Sequence, residues 1–248
     1  MRYLILSDIH SNLEAFTKCM EVARGRYQEV LCLGDLVGYG PDPNAIVESV
    51  REIASVTIRG NHDKACCGIT EAEDFNPLAR LATQWTREQL AAGNLAWLRE
   101  LAMGPIEVAG CQFVHGSPRD EDEYLVEANE VLPAFEAAAS PVVLFGHTHL
   151  QGGFMLAADG KLHAIRSNPQ SGDGTVTLDL KEGARYLINP GSIGQPRDRD
   201  WRAAFAILDS DNRKVEYYRA AYDLAATQTK MRKAGLPEFL VTRLEFGR

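Results

Sequence analysis

At 248 residues the chain is long enough to bury one large α/β core, and with 45% hydrophobic and 24% charged residues it is neither a disordered nor a fibrous protein. The net charge of −8 works against a general attraction to nucleic acid, which needs a basic face to displace counterions; a local basic pocket is still compatible. The five cysteines (Cys19, Cys32, Cys66, Cys67 and Cys111) form no CxxC pair and read as reduced, mostly core thiols rather than a disulfide framework.

The first apolar run, Tyr3 to Leu6, ends in Ser7-Asp8 and is too short for a signal-peptide core, and no window reaches the roughly 18 apolar residues of a membrane span. A cytoplasmic protein without membrane attachment is expected. Next, Ser11 and Glu14 make a capping-box pair, and Leu13, Phe16, Met20 and Ala23 recur at helical spacing toward a stop near Gly25. Val30 to Leu33 predicts a second buried strand, Asn44 to Ile53 a second helix, and Val56 to Ile58 a third strand. This alternation requires crossover connections and predicts an α/β sheet.

Between residues 74 and 102 the pattern is helical only, with Leu78, Leu81, Trp85 and Leu90 followed by Leu95, Trp97, Leu98 and Leu101. Two helices are expected there, either as a cap inserted over a site or as part of the helical layer. Gln112 to Val114 and Val142 to Phe145 predict two further central strands. Beyond residue 150, Leu162 to Arg166, Thr175 to Leu180, Tyr186 to Ile188, Ala203 to Leu208 and Val215 to Tyr218 are spaced by Gly, Asp and Asn turns and predict a second, mainly antiparallel sheet. A final helix from about Tyr222 to Lys233 is stopped by Gly235 and Pro237. No linker or repeat divides the chain, so residues 1 to 248 are expected to form a single domain.

The chemistry gathers where the central strands end. Asp8-Ile9-His10 follows the first, and two residues spaced by two at a strand end point the same way, so both can reach one ion. Asp35 follows the second strand in Gly34-Asp35, Gly60-Asn61-His62-Asp63 the third, His115-Gly116 the fourth, and Gly146-His147-Thr148-His149 the fifth. Ligands of open α/β sheets bind outside the carboxyl ends of the strands, so these five ends should meet in one crevice. Any one of these motifs is weak, because Asn, His and Asp are common turn residues. Five of them in register, using every histidine but His163, are not explained by turns. Imidazole and carboxylate donors without thiolate favour Mn, Fe, Zn, Co or Ni. Seven donors exceed one tetrahedral site and fit two ions about 3.5 to 4 Å apart that share a carboxylate.

With D-x-H, GD, GNH, H and GHxH in order from Asp8 to His149, the chain resembles the calcineurin-like metallophosphoesterase superfamily. Asn189-Pro190-Gly191-Ser192 further resembles the NPGS turn of its small bacterial and archaeal phosphodiesterase branch. The resemblance implies a four-layer α/β/β/α sandwich of two mixed sheets flanked by helices, and two divalent cations, with Mn favoured. By position, Asp8, His10 and His149 would hold the first ion and Asn61, His115 and His147 the second, with Asp35 bridging.

Two cations make a hydroxide available near neutral pH for in-line attack and neutralise phosphoryl charge. His62 is left over as a ligand and is expected to act as the general acid, a role suited to an unperturbed pKa near 6.5, with Asp63 as a candidate to orient it. Gly38 and Tyr39 in GDLVGYG replace the Asp and Arg of the GDxVDRG motif in the protein phosphatase branch. Loss of a bidentate clamp for a terminal phosphate favours a small phosphodiester over a phosphomonoester or phosphoprotein. Arg119, Arg197, Arg199 or Arg202 could provide a substitute from another loop or be solvated surface charges; Arg197 is favoured for the site because it follows the NPGS turn, and Tyr39, Pro41 and Trp201 could wall the site for an aromatic group or pack in the core and loops.

Overall fold

The computed structural model describes residues 1–167 and 175–248. Strands β1 (Arg2–Leu6), β2 (Glu29–Cys32) and β3 (Val56–Thr57) alternate with helices α1 (Leu13–Ala23) and α2 (Pro43–Ile53), followed by α3 (Asn61–Cys67), α4 (Pro77–Gln89) and α5 (Ala92–Glu100). Then come β4 (Ile106–Val108), β5 (Cys111–Phe113), α6 (Ala128–Ala137), β6 (Val142–Leu144), β7 (Gly152–Leu156) and β8 (Leu162–Arg166). Strands β9 (Val176–Asp179), β10 (Arg185–Asn189), β11 (Ala203–Asp209) and β12 (Lys214–Ala220) lead into α7 (Leu224–Lys233) and α8 (Glu238–Thr242).

The strands form two six-stranded sheets, ordered β3-β2-β1-β11-β12-β9 and β4-β5-β6-β10-β7-β8. Each is mixed, with parallel pairs β3/β2/β1 in one and β5/β6/β10 in the other, continued by antiparallel strands. Alternation along β1 sets the layers: Tyr3 and Ile5 face the second sheet, packing with its Phe113, Leu144 and Tyr186, while Leu4 and Leu6 face Phe16, Ile46 and Val50 of α1 and α2. On the outer face of the second sheet, Val143 and Leu187 pack against Val131 and Phe135 of α6. The result is the expected α/β/β/α arrangement. No helix among the described residues is long and apolar enough to cross a membrane.

Several expectations need correction. The strands after residue 150 do not make a sheet of their own. Strand β11 is buried along its whole length and continues the first sheet beside β1, followed by β12 and β9, whereas β10 pairs with β6 in the second. The α1 cap is Asn12, whose side chain accepts from Ala15 N at 3.1 Å, and Ser11 instead donates its backbone N–H to Leu36 O, in a left-handed conformation. Sequence reading missed α3, which is too short to show a periodic stripe, and α6. It also missed β4 and β7 and ended the chain one helix early, since α8 and a 3₁₀ turn at Arg243–Phe246 follow α7. Helices α4 and α5 pack on α2 and α3 within the helical layer, and the stretch leading into α4, together with Ala79 of its first turn, lines the cavity at the strand ends.

Two loops are pressed together so closely that one position tolerates only glycine. A Cβ at Gly60 would lie 2.1 Å from Asp35 Oδ1 and 2.5 Å from the Asp35 nitrogen, while a Cβ on Gly93 in α5 would meet nothing within 4 Å. Chemical denaturation of the metal-free protein should therefore show Gly60→Ala destabilised by about 2 kcal/mol. Gly93→Ala should gain about 0.5–1 kcal/mol from helix propensity. Equal effects of the two substitutions would contradict the close loop packing.

Candidate metal centre

The loop after β1 carries Asp8 and His10, that after β2 carries Asp35, and α3 begins on Asn61. His115 follows β5, and His147 and His149 follow β6. All seven side chains meet at one edge of the sandwich, and all but the half-buried Asn61 are buried. His149 Nε2 lies 3.3 Å from Asp8 Oδ1 and 3.1 Å from His10 Nε2, which is in turn 3.6 Å from Asp35 Oδ2. Across that oxygen, His115 Nε2 is 3.5 Å from Asp35 Oδ2 and 3.3 Å from Asn61 Oδ1. Two groups have ligand atoms close enough to hold an ion, Asp8 with His10, Asp35 and His149, and Asp35 with His115 and His147. Asp35 belongs to both.

The donor atoms fit divalent cations. Asp35 Oδ1 accepts the backbone N–H of His62 at 2.8 Å, but Oδ2 is buried with no hydrogen-bond partner, a costly state unless a cation neutralises it. Each imidazole has one nitrogen tied to a carbonyl: His10 Nδ1 to Val37 O, His115 Nδ1 to Leu33 O, His149 Nδ1 to Gln195 O and His147 Nε2 to Asp122 O, at 2.6–3.0 Å. A ring nitrogen that donates outward leaves the other with a lone pair turned inward, which fixes the tautomer a metal requires. No cysteine is involved.

The electrostatics agree. Burial holds His10 and His149 well below the usual histidine range and pushes His147 down to about 3, so these rings are neutral and ready to coordinate. Burial also opposes charge on His115, but the adjacent Asp35 carboxylate outweighs it and raises the ring to about 10. Asp35 is correspondingly held low by His115 and His62 in spite of its burial.

Five of the seven candidate ligands, Asp8, His10, Asp35, His147 and His149, have left-handed backbone with φ between 47° and 63°. Such residues cost roughly 1–3 kcal/mol each and survive only where the surroundings over-determine them. The NPGS turn supplies much of that restraint. Asn189 Nδ2 donates to Gly146 O and Thr148 Oγ1 at 2.8 and 3.0 Å, Ser192 Oγ donates to Asp8 O at 2.7 Å, and Gly194 N also donates to Asp8 O. Sequence reading used these residues only as a mark of resemblance; their work is to clamp the loops of Asp8 and His147–His149 together.

His62 stands beside the seven, its ring between those of Tyr39 and Phe75 at 4.4 and 4.5 Å. The expectation that Asp63 orients it fails. Asp63 Oδ1 accepts from Leu36 N and Val37 N and Oδ2 from Gly60 N, so this carboxylate joins the Asp35 loop to α3 and does not touch the His62 ring. Packing orients His62 instead, and Gly38 makes room for it, since a Cβ there would lie 2.6 Å from His62 Nδ1. Tyr39 is buried between His10 and His62 and packs on Ala79 and Met231. Arg197 donates its backbone N–H to His149 O, its guanidinium reaches only Gln195 Oε1, and its Nε is buried without a partner. Arg119 and Arg202 pair with Glu123 and Asp200, Arg199 is exposed, and Trp201 packs on Tyr222. Arg243, whose charge is disfavoured by burial and by nearby Arg197, escaped sequence reading because it lies in the 3₁₀ turn beyond the expected last helix.

A family model for the calcineurin-like phosphoesterase superfamily domain matches residues 1–213. The chain belongs to the calcineurin-like phosphoesterase superfamily. It is accordingly a metallophosphoesterase, a hydrolase of phosphoric esters in a superfamily that works with dinuclear metal centres. An uncharacterized protein of Methanocaldococcus jannaschii is 34% identical over 98% of this chain and 97% of its own length. The crystal structure of a metallophosphoesterase from Sphaerobacter thermophilus superimposes with a TM-score of 0.85 at 42% identity, covering 100% of this chain and 99% of that one. A hypothetical protein from Pyrococcus horikoshii shares the fold at 19% identity, with a TM-score of 0.76 and coverage of 100% and 98%.

If Asp35 serves both halves of this phosphoesterase centre, Asp35→Asn should reduce metal content, measured by elemental analysis after reconstitution, from about two ions per chain to fewer than one. Asn189→Ala should weaken metal affinity about tenfold in chelator competition by releasing the clamped loops. Unchanged content in the first variant would remove Asp35 from the shared position.

Proposed function

We propose that this chain is a dinuclear metal-dependent phosphodiesterase acting on a small substrate, with Asp8, His10 and His149 holding one ion, Asn61, His115 and His147 the other, and Asp35 both. The observation that carries the diester preference is the lack of free positive charge in the cavity lining beside the centre. A cavity of about 310 Å³ opens on Asn61, His62 and His147, and Lys64 is the only Lys or Arg among its described lining residues. Lys64 Nζ is held at 2.7 Å by both Asp122 oxygens and at 2.9 Å by Glu121. No free guanidinium fork faces this cavity to clamp a dianionic terminal phosphate, whereas a diester, with one charge and two substituents, does not need one.

When bound, two divalent cations supply an acidified water and neutralise charge on the phosphoryl oxygens. The imidazole and carboxylate donors suit Mn, Fe, Zn, Co or Ni, of which we favour Mn. The protein's own residues hold the geometry. Asp35 ties the two halves together, and the carbonyls of Val37, Leu33, Gln195 and Asp122 keep the four coordinating rings in place. His62 lines the cavity where a leaving oxygen would emerge. Burial lowers its pKa to about 4, so near neutral pH the ring is neutral and steadies the leaving oxygen by a hydrogen bond from its N–H, while the departing alkoxide takes its proton from water. Arg197, bonded through its backbone N–H to His149 O and through its guanidinium to Gln195 Oε1, is the candidate to steady the non-bridging oxygens from outside that cavity.

With Mn added, kcat/KM for bis-p-nitrophenyl phosphate should exceed that for p-nitrophenyl phosphate by about tenfold or more, a difference of about 1.4 kcal/mol in transition-state binding. Equal or reversed values across several metals would point to a phosphomonoesterase. His62→Ala should keep both ions but lose roughly 10²-fold in kcat, most with poor leaving groups.

A further inference from the structure

The cavity beside the centre has a chemical character of its own. Phe75 and Tyr124 line it, one packed on the His62 ring at 4.5 Å and the other on the His147 ring at 3.9 Å, so both aromatic groups are anchored to the centre itself. Three carboxylates, Glu71, Asp74 and Asp122, face one ammonium, that of Lys64, in the same lining. Asp122 is already bound to Lys64, and Glu71 meets Arg87 at 3.4 Å. Asp74 has no hydrogen-bond or ion-pair partner among the described residues. The buried His62 closes the inner end, with its Nδ1 unpartnered.

We propose that this cavity receives one alcohol arm of the diester and that this arm is an organic cation, an alkylammonium alcohol. The inference rests on the diesterase reading above. Aromatic walls attract a quaternary or protonated ammonium through the ring quadrupole, and an unpaired carboxylate adds a direct charge partner. The same carboxylates repel a second phosphate, so polyphosphate and dinucleotide arms are selected against by like charge. At about 310 Å³ the cavity lies at the small end of ligand sites, which suits a compact arm. The arrangement thus divides the substrate: the phosphoryl group lies over the seven ligands, and the positive arm lies toward Phe75, Tyr124 and Asp74.

A pair of ligands of the same shape isolates the charge. Phosphocholine and 3,3-dimethylbutyl phosphate differ only in a quaternary nitrogen against a quaternary carbon, and calorimetry on the Mn-loaded protein gives the affinity of each. Phosphocholine should bind about tenfold tighter, equivalent to about 1.4 kcal/mol. Asp74→Asn, a change at an exposed side chain, should shrink that ratio below threefold (about 0.6 kcal/mol). Equal affinities, tighter binding of the neutral ligand, or no binding of either would overturn the inference, as would a ratio that Asp74→Asn leaves intact. Turnover of bis-p-nitrophenyl phosphate is read separately. If it proceeds while the two ligands bind equally, only the cationic arm is wrong; if it fails while phosphocholine is preferred, only the diesterase reading is wrong.

Discussion

One oxygen atom organises this molecule. Asp35 Oδ2 is buried at 1% exposure without a hydrogen-bond donor, and it faces His10 on one side and His115 on the other at about the same distance. A carboxylate oxygen left in this state is expensive, and in the metal-free chain the neighbouring imidazoles, His115 foremost and then His62, offset it. Two cations would satisfy it directly. The other oxygen is fixed by the His62 backbone N–H, so the start of α3 and the position of His62 depend on the same carboxylate.

The surrounding fold is arranged to hold that atom still. Gly60 lets the loop after β3 approach Asp35, and Asp63 reaches back from α3 to the backbone of Leu36 and Val37. On the opposite side the NPGS turn, entering from β10, binds the loops after β1 and β6. Left-handed conformations at five ligand positions are kept by these cross-loop hydrogen bonds rather than by local preference. Strain and rigidity thus have one origin, the convergence of loops from two sheets onto a shared edge.

Much of this was legible in the sequence because the relevant residues are punctuated by turn signals and apolar strands. The residues of Asp8-Ile9-His10, Gly34-Asp35, Gly60-Asn61-His62, His115 and Gly146-His147-Thr148-His149 fall at strand ends as the apolar runs indicated, and the structure clusters six of the expected ligands, with Asn61 beside His115. What escaped depends on contacts distant in sequence. Asp63 could be read as a partner of its neighbour His62, but the backbone N–H groups that donate to it come from the loop after β2, 26 and 27 residues earlier. The assignment of β11 beside β1 is a matter of which sheet offers an open edge, and periodicity carries no such information. The aromatic and acidic cavity is likewise assembled from segments that are far apart along the chain, near Phe75 and near Tyr124.

The account stands on Asp35 as the carboxylate common to two ions, and anomalous diffraction from crystals grown with Mn tests that directly. Two peaks about 3.5 to 4 Å apart, both within bonding reach of Asp35 Oδ2, are the predicted result. A single peak, or two peaks of which only one contacts Asp35, would contradict it.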